Sequence, residues 1–139
     1  MWISGHILLN RSGRASIKEM YQKANAALAE GTDIFIFPQG TRERKKVLPF
    51  KHGAFSIATA YGGGEGVNVL PVSIELNPKA WKLSGKIGER NIAKITIHPV
   101  METKSFKGEG GKERMMKEAQ DLVYSVGALK ELRASLKEE

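Results

Sequence analysis

The sequence predicts an α/β fold with a mostly parallel sheet flanked by helices and an amphipathic helix towards its C-terminus. Three observations carry that expectation. Apolar runs at 7–9, 34–37 and 67–74 have the length of strands, and segments of helical periodicity separate them. The resulting order, strand, helix, strand, helix, strand over the first 75 residues, needs crossover connections, which make parallel neighbours. The run Ile34-Phe35-Ile36-Phe37 is continuously apolar, the pattern of a strand covered on both faces.

In order, Ile7-Leu8-Leu9 reads as a buried strand whose C-terminal end delivers Arg11. Ser16 and Glu19 form an S-x-x-E capping box, and Ile17, Met20, Tyr21, Ala24 and Leu28 recur at helical spacing until Gly31 stops the helix. The strand at 34–37 ends at Pro38, and a cationic loop with Arg42, Arg44, Lys45 and Lys46 runs to Pro49. A second helix is expected from His52 or Gly53 to the Gly62-Gly63-Gly64 break. The strand at 67–74 contains Pro71, which removes a ladder donor, so it should be bulged or at an edge there. Ile92, Ile95 and Ile97 predict a strand ending at His98-Pro99, and residues 105–112 a flexible loop. Met116, Ala119, Leu122 or Val123 and Val126 then predict an amphipathic helix, continued after Gly127 by Leu129, Leu132 and Leu136. The stripe of Met115, Met116 and Leu122 is expected to pack inward rather than to dock lipid.

At 139 residues the chain makes a single domain. Twenty-two lysines and arginines against fifteen aspartates and glutamates leave a net charge of +7, so the surrounding field attracts anions such as nucleic acid, phosphorylated metabolites or acidic headgroups. The absence of cysteine excludes disulfides, thiolate catalysis and cysteine-based zinc sites. The apolar runs are far shorter than the roughly 20 residues a bilayer crossing needs. No basic residue precedes the first apolar run, so no secretory leader is expected.

In a parallel sheet, ligands sit at the carboxyl ends of the strands, and both Arg11 and the loop at 39–42 fall there. Two arginines on one rim can hold a phosphate through bidentate, charge-assisted hydrogen bonds. Gly40 allows close backbone approach, Thr41 offers a hydroxyl, and the helix start around 51–53 adds a positive dipole end. The alternative is that 42–46 is simply a solvated loop, the usual fate of a charge run. Its position directly after Pro38-Gln39-Gly40-Thr41 and a buried strand favours the anion site.

These residues carry a resemblance. Phe37-Pro38-Gln39-Gly40-Thr41-Arg42, followed by Leu48-Pro49-Phe50-Lys51 and Gly53-Ala54-Phe55, resembles the phosphate-binding block of the glycerolipid acyltransferases, the lysophosphatidic acid acyltransferase group. Gly5 to Arg11 resembles that family's second block, and Val69-Leu70-Pro71-Val72-Ser73-Ile74 its fourth, all in the right order. The resemblance implies an enzyme of phospholipid biosynthesis. It would move a fatty acyl group from a thioester of coenzyme A or acyl carrier protein, a co-substrate rather than a resident cofactor, to 1-acylglycerol 3-phosphate or glycerol 3-phosphate. It implies that Arg11 and Arg42 clamp the phosphate, that Phe37, Pro38, Gln39, Gly40 and Thr41 shape the site, and that Pro71 borders the acyl donor. Peripheral contact with an anionic membrane from the cytoplasmic side is implied too, with no nucleic-acid partner.

Two departures from the family pattern stand out. The family has glutamate where this chain has Gln39, an amide that keeps an acceptor oxygen but loses the charge. The family's catalytic block is a histidine followed five positions later by an aspartate, the imidazole acting as general base and the carboxylate orienting it. Here His6, His52 and His98 are followed at that spacing by Arg11, Ile57 and Thr103, so no catalytic residue is assigned. In the family that block lies upstream of what is position 1 here, and the chain is expected to be truncated, with an incomplete N-terminal part. His6 and His98 read as structural or surface residues, and His52 as a neighbour of the anion site. A non-catalytic module binding anions, lipid or nucleic acid stays open as the alternative, although the aromatics Phe35, Phe37, Phe50 and Phe55 lie in apolar settings rather than between basic residues.

Overall fold

The structure, a computed structural model, describes residues 14–41, 47–76, 93–127 and 130. Helix α1 (Arg14–Ala29) is followed by α2 (His52–Ala60), strand β1 (Val72–Leu76), strand β2 (Ala93–Ile97) and helix α3 (Gly111–Val123). Single 3-10 turns follow α2, at Tyr61–Gly63, and precede α3, at Thr103–Phe106.

Helix α1 already includes Arg14, so Ser16 is its third residue and does not open it. An S-x-x-E pattern caps only where the chain ahead of it is non-helical. Here Glu19 instead pairs with Lys23 one turn on, at 2.7 Å. The hydrogen bond from Lys23, and then its charge, hold the Glu19 carboxyl below the usual carboxylate range. Ala24 is buried, Met20, Tyr21 and Leu28 are half-buried, and Ile17 is exposed, so the apolar stripe is used only in part. The helix ends as expected at Gly31, whose φ of +76° suits glycine. Gly31 N–H bonds the Leu28 carbonyl and Thr32 N–H the Ala27 carbonyl, the paired bonds of a Schellman stop.

The expected mostly parallel sheet is not seen among the described residues. There the sheet is two antiparallel strands, with Val72 opposite Ile97 and Leu76 opposite Ala93. Residues 34–37 form no ladder with any described strand, and Phe35 and Phe37 are 69% and 63% exposed. An apolar run signals a wish for burial, but a strand also needs a neighbouring backbone to bond. The expected strand at 7–9, which would be that neighbour, lies outside the described residues, as do Arg11, Arg42 and the continuation beyond residue 130.

The proline reading fits what is observed. Val69 bridges Met101, Pro71 interrupts the ladder while its carbonyl accepts the His98 N–H at 3.0 Å, and regular pairing starts at Val72. One sheet face turns inward: the wholly buried Ser73 hydroxyl donates to the Val123 carbonyl at 2.8 Å and lies 2.7 Å from His98 Nε2. On β2, Ile95 and Ile97 are exposed.

The core lies between α2, α3 and the segment at 101, with Phe50, Phe55, Met101, Met115, Ala119, Val123 and Tyr124 in one cluster. Phe50 stacks on Phe55 at 6.2 Å between ring centres and tilts against Tyr124 at 5.5 Å. In α3 the buried stripe is Gly111, Met115, Ala119 and Val123, spaced by four. Ala119 and Val123 lie on the expected face and Met115 packs inward as expected, while Met116 and Leu122 only flank the stripe, half-buried. Gly111 helps set this rotation: a Cβ there would collide with the Phe106 carbonyl, so backbone meets backbone and the helix turns that face inward. Phe50 ties this core to the loop just before α2, where the anion site is expected.

Candidate anion site at the start of helix α2

Phe37, Pro38, Gln39 and Gly40 form a β-turn closed by Gly40 N–H bonding the Phe37 carbonyl at 3.1 Å. Proline second and glycine fourth suit a type I turn. The absence of positive φ at any described non-glycine residue excludes a type II turn centred on Gln39. The Pro38 carbonyl accepts the Lys51 N–H at 2.8 Å, which lays the turn against the residue that caps α2. A proline thus ends the apolar run and offers its carbonyl as a fixed anchor.

Lys51 caps the helix in extended conformation without a side-chain cap bond. Its side chain lies across Gly40: a Cβ at position 40 would sit 3.0 Å from Nζ and 3.1 Å from Cδ. Gly40 has a φ of +67°, so both its conformation and its neighbour call for glycine. Among the described residues no carboxylate lies within ion-pair distance of the Lys51 ammonium. Beside it open the first-turn amides of α2, which have no intrahelical acceptor.

Between turn and helix start is a depression of about 360 Å³, lined by Gln39, Thr41, Leu48, Phe50, Lys51 and His52 among others. A cation, helix amides, a hydroxyl and an amide around one opening can hold a phosphate group. A second hollow of about 460 Å³ runs along α3, but Arg114, Lys117, Glu118 and Asp121 give it both signs of charge, as on a solvated helix face.

Of the residues expected at the site, Gln39 and Thr41 line the depression. Gly40 and Pro38 build the turn behind it, and Phe37 points largely into solvent. Pro71 is buried beside β1, where its carbonyl is bonded to His98, and it does not line the depression. Arg11 and Arg42 lie outside the described residues. Lys51 stood at the expected helix start and in the Leu48-Pro49-Phe50-Lys51 string, but the sequence assigned the cationic role to the run at 42–46 rather than to its side chain. Gln120 and Tyr124 were missed altogether. Gln120 Oε1 accepts the Phe50 N–H at 2.8 Å, and Tyr124 bonds both Leu48 and Gln39. No local pattern signals contacts across 70 or more residues.

Neither described histidine is paired with an aspartate. His52 Nδ1 is 4.0 Å from Glu113 Oε1, a loose contact between exposed groups. His98 beside Ser73 looks like a base beside a nucleophile, but the Ser73 proton is given to the Val123 carbonyl. Ser73 therefore accepts from His98 Nε2–H, and the pair fastens the sheet to α3. Among the described residues no group of histidine and carboxylate side chains could hold a metal ion.

A family model described as Acyltransferase matches residues 1–75. A 1-acyl-sn-glycerol-3-phosphate acyltransferase of Chlamydomonas reinhardtii is 36% identical over 98 residues, 70% of this chain and 28% of that protein. The protein of the same name from Escherichia coli is 35% identical, covering 52% of this chain and 29% of the relative. 1-acyl-sn-glycerol-3-phosphate acyltransferase alpha of Homo sapiens is 36% identical over 59 residues, 41% of this chain and 21% of the relative. The chain thus spans under a third of the length of these relatives. No solved structure matches it significantly.

Proposed function

Because the chain belongs to the acyltransferase family, we propose that it forms the phosphate-binding part of an enzyme that acylates 1-acylglycerol 3-phosphate or glycerol 3-phosphate. The acyl group would come from a thioester of coenzyme A or acyl carrier protein. The observation that carries this reading is the Lys51 ammonium lying over the Gly40 turn, beside the N-terminus of α2. A phosphate monoester there meets a cation and backbone amides, while Thr41 and the acceptor oxygen of Gln39 face the glycerol. Arg11 and Arg42 complete the clamp, and Pro71 borders the acyl donor. In the same reading the run at 34–37 joins a parallel sheet within a single acyltransferase domain.

The 139 residues bind the acceptor without turning it over, because the sequence has no histidine followed five positions later by aspartate. A general base beside the acceptor hydroxyl is what acyl transfer requires. No described helix is long and apolar enough to cross a membrane, and exposed Phe35 and Phe37 on a chain of net charge +7 suit peripheral contact with an anionic surface.

Calorimetric titration with glycerol 3-phosphate and 1-acylglycerol 3-phosphate tests the proposal. The chain should bind both, and Arg42→Ala should weaken binding by about 10- to 100-fold, as expected for a lost charge-assisted contact. Equal affinity in Arg42→Ala would remove the clamp. The net charge favours one competing reading, a non-catalytic nucleic-acid module. Steeply salt-dependent binding to oligonucleotides, with none to glycerol phosphate, would select it.

A further inference from the structure

The family match ends at residue 75, yet two side chains far beyond it, Gln120 in α3 and Tyr124 just after it, hold the two arms of the anion site. Tyr124 Oη donates to the Leu48 carbonyl at 2.8 Å and lies 3.3 Å from Gln39 Nε2. The directions follow from the groups: a carbonyl only accepts, so the phenol commits its single proton to Leu48 and accepts from position 39. That position must therefore offer a donor. Gln39, which lines the depression, does so through its amide nitrogen. A carboxylate there would draw the phenol proton away from Leu48. One turn earlier, Gln120 holds the Phe50 N–H on the same loop.

We infer that Tyr124 is a positioning residue of the phosphate-ester site. It fixes the turn at 37–40 against the loop at 48–51, at the spacing that keeps Lys51 over Gly40, and the amide at position 39 is matched to it. This inference rests on the binding role proposed above and adds to it the part played by a residue outside the family match.

The test is Tyr124→Phe in the full 139-residue chain, which keeps a ring packed against Phe50 and removes only the hydroxyl. The dissociation constant for glycerol 3-phosphate should rise about five- to tenfold, the effect of two modest hydrogen bonds. The melting temperature should fall by less than about 5 °C. Hydrogen exchange should quicken at the Gly40 and Lys51 amides, whose acceptors are the Phe37 and Pro38 carbonyls. Unchanged affinity in the variant, or unchanged exchange at those amides, overturns the inference. A wild-type chain that binds no glycerol 3-phosphate defeats the binding role instead. The exchange comparison then decides the inference alone: faster exchange supports it and equal exchange overturns it.

Discussion

Gly40 carries two constraints at once, a φ of +67° and a lysine side chain 3.0 Å from where a Cβ would stand. A non-glycine residue in the left-handed region costs about 1–2 kcal/mol. The lysine end is flexible and can yield, so the steric part of a substitution is cheap and the backbone part is not. Gly40→Ala should accordingly lower the unfolding free energy by about 1–2 kcal/mol in urea titrations. It should also push Lys51 off the turn and weaken phosphate-ester binding. A variant of wild-type stability would mean that the turn relaxes freely and that its shape is not what places the lysine. The same scale explains why the sequence placed Lys51 at the helix start but gave its side chain no role: one lysine after four clustered cations carries no distinctive signal, and the fold of Pro38 back onto Lys51 N–H sets it apart.

Among the elements, α3 links core and site. Met115 is fully buried, whereas Met116, its neighbour, is half-buried. Met115→Ala should destabilise the fold by about 2–5 kcal/mol and Met116→Ala by clearly less, as read from thermal unfolding of both. Equal losses would mean that α3 presents both methionines to the core alike. The choice between Met115 and Met116, and between Leu122 and Val123, stayed open because periodicity fixes the presence of an apolar face, while Gly111 packed against the Phe106 carbonyl, a tertiary contact, helps set the rotation of the helix. The helices at 14–29, 52–60 and 111–123 were legible because periodicity and glycine stops are local, although α3 starts at Gly111, inside the loop expected at 105–112, and a 3-10 turn at Thr103–Phe106 overlaps that loop's beginning. The pairing of strands is not local. Pro71 announced an interrupted strand, and the ladder is interrupted there, but nothing in 67–74 or 92–97 announced that they would pair with each other, antiparallel. Pro38 was legible as the end of the apolar run, but the tight turn at 37–40 was not, and neither was its tie to Tyr124 across 85 residues or that of Phe50 to Gln120 across 70.

At the scale of the molecule, apolar side chains lie open among the described residues along 35–37, on β2 at Ile95 and Ile97, and singly at Ile17, Leu70 and Val100. Their exposure contrasts with the close cluster around Met115, and it accompanies a chain that spans under a third of its relatives. The anion site lies at the edge of that cluster, with Phe50 in the core and Lys51, next in sequence, at the rim. The described part of the site therefore rests on the packed part of the molecule. The most direct measurement is an amide chemical-shift map recorded as glycerol 3-phosphate is added to the 139-residue chain. Saturable shifts centred on Gly40, Thr41, Lys51, His52 and Gly53 are predicted, with the α1 amides unmoved. Shifts confined to the charged face of α3, or none at millimolar ligand, would contradict the account.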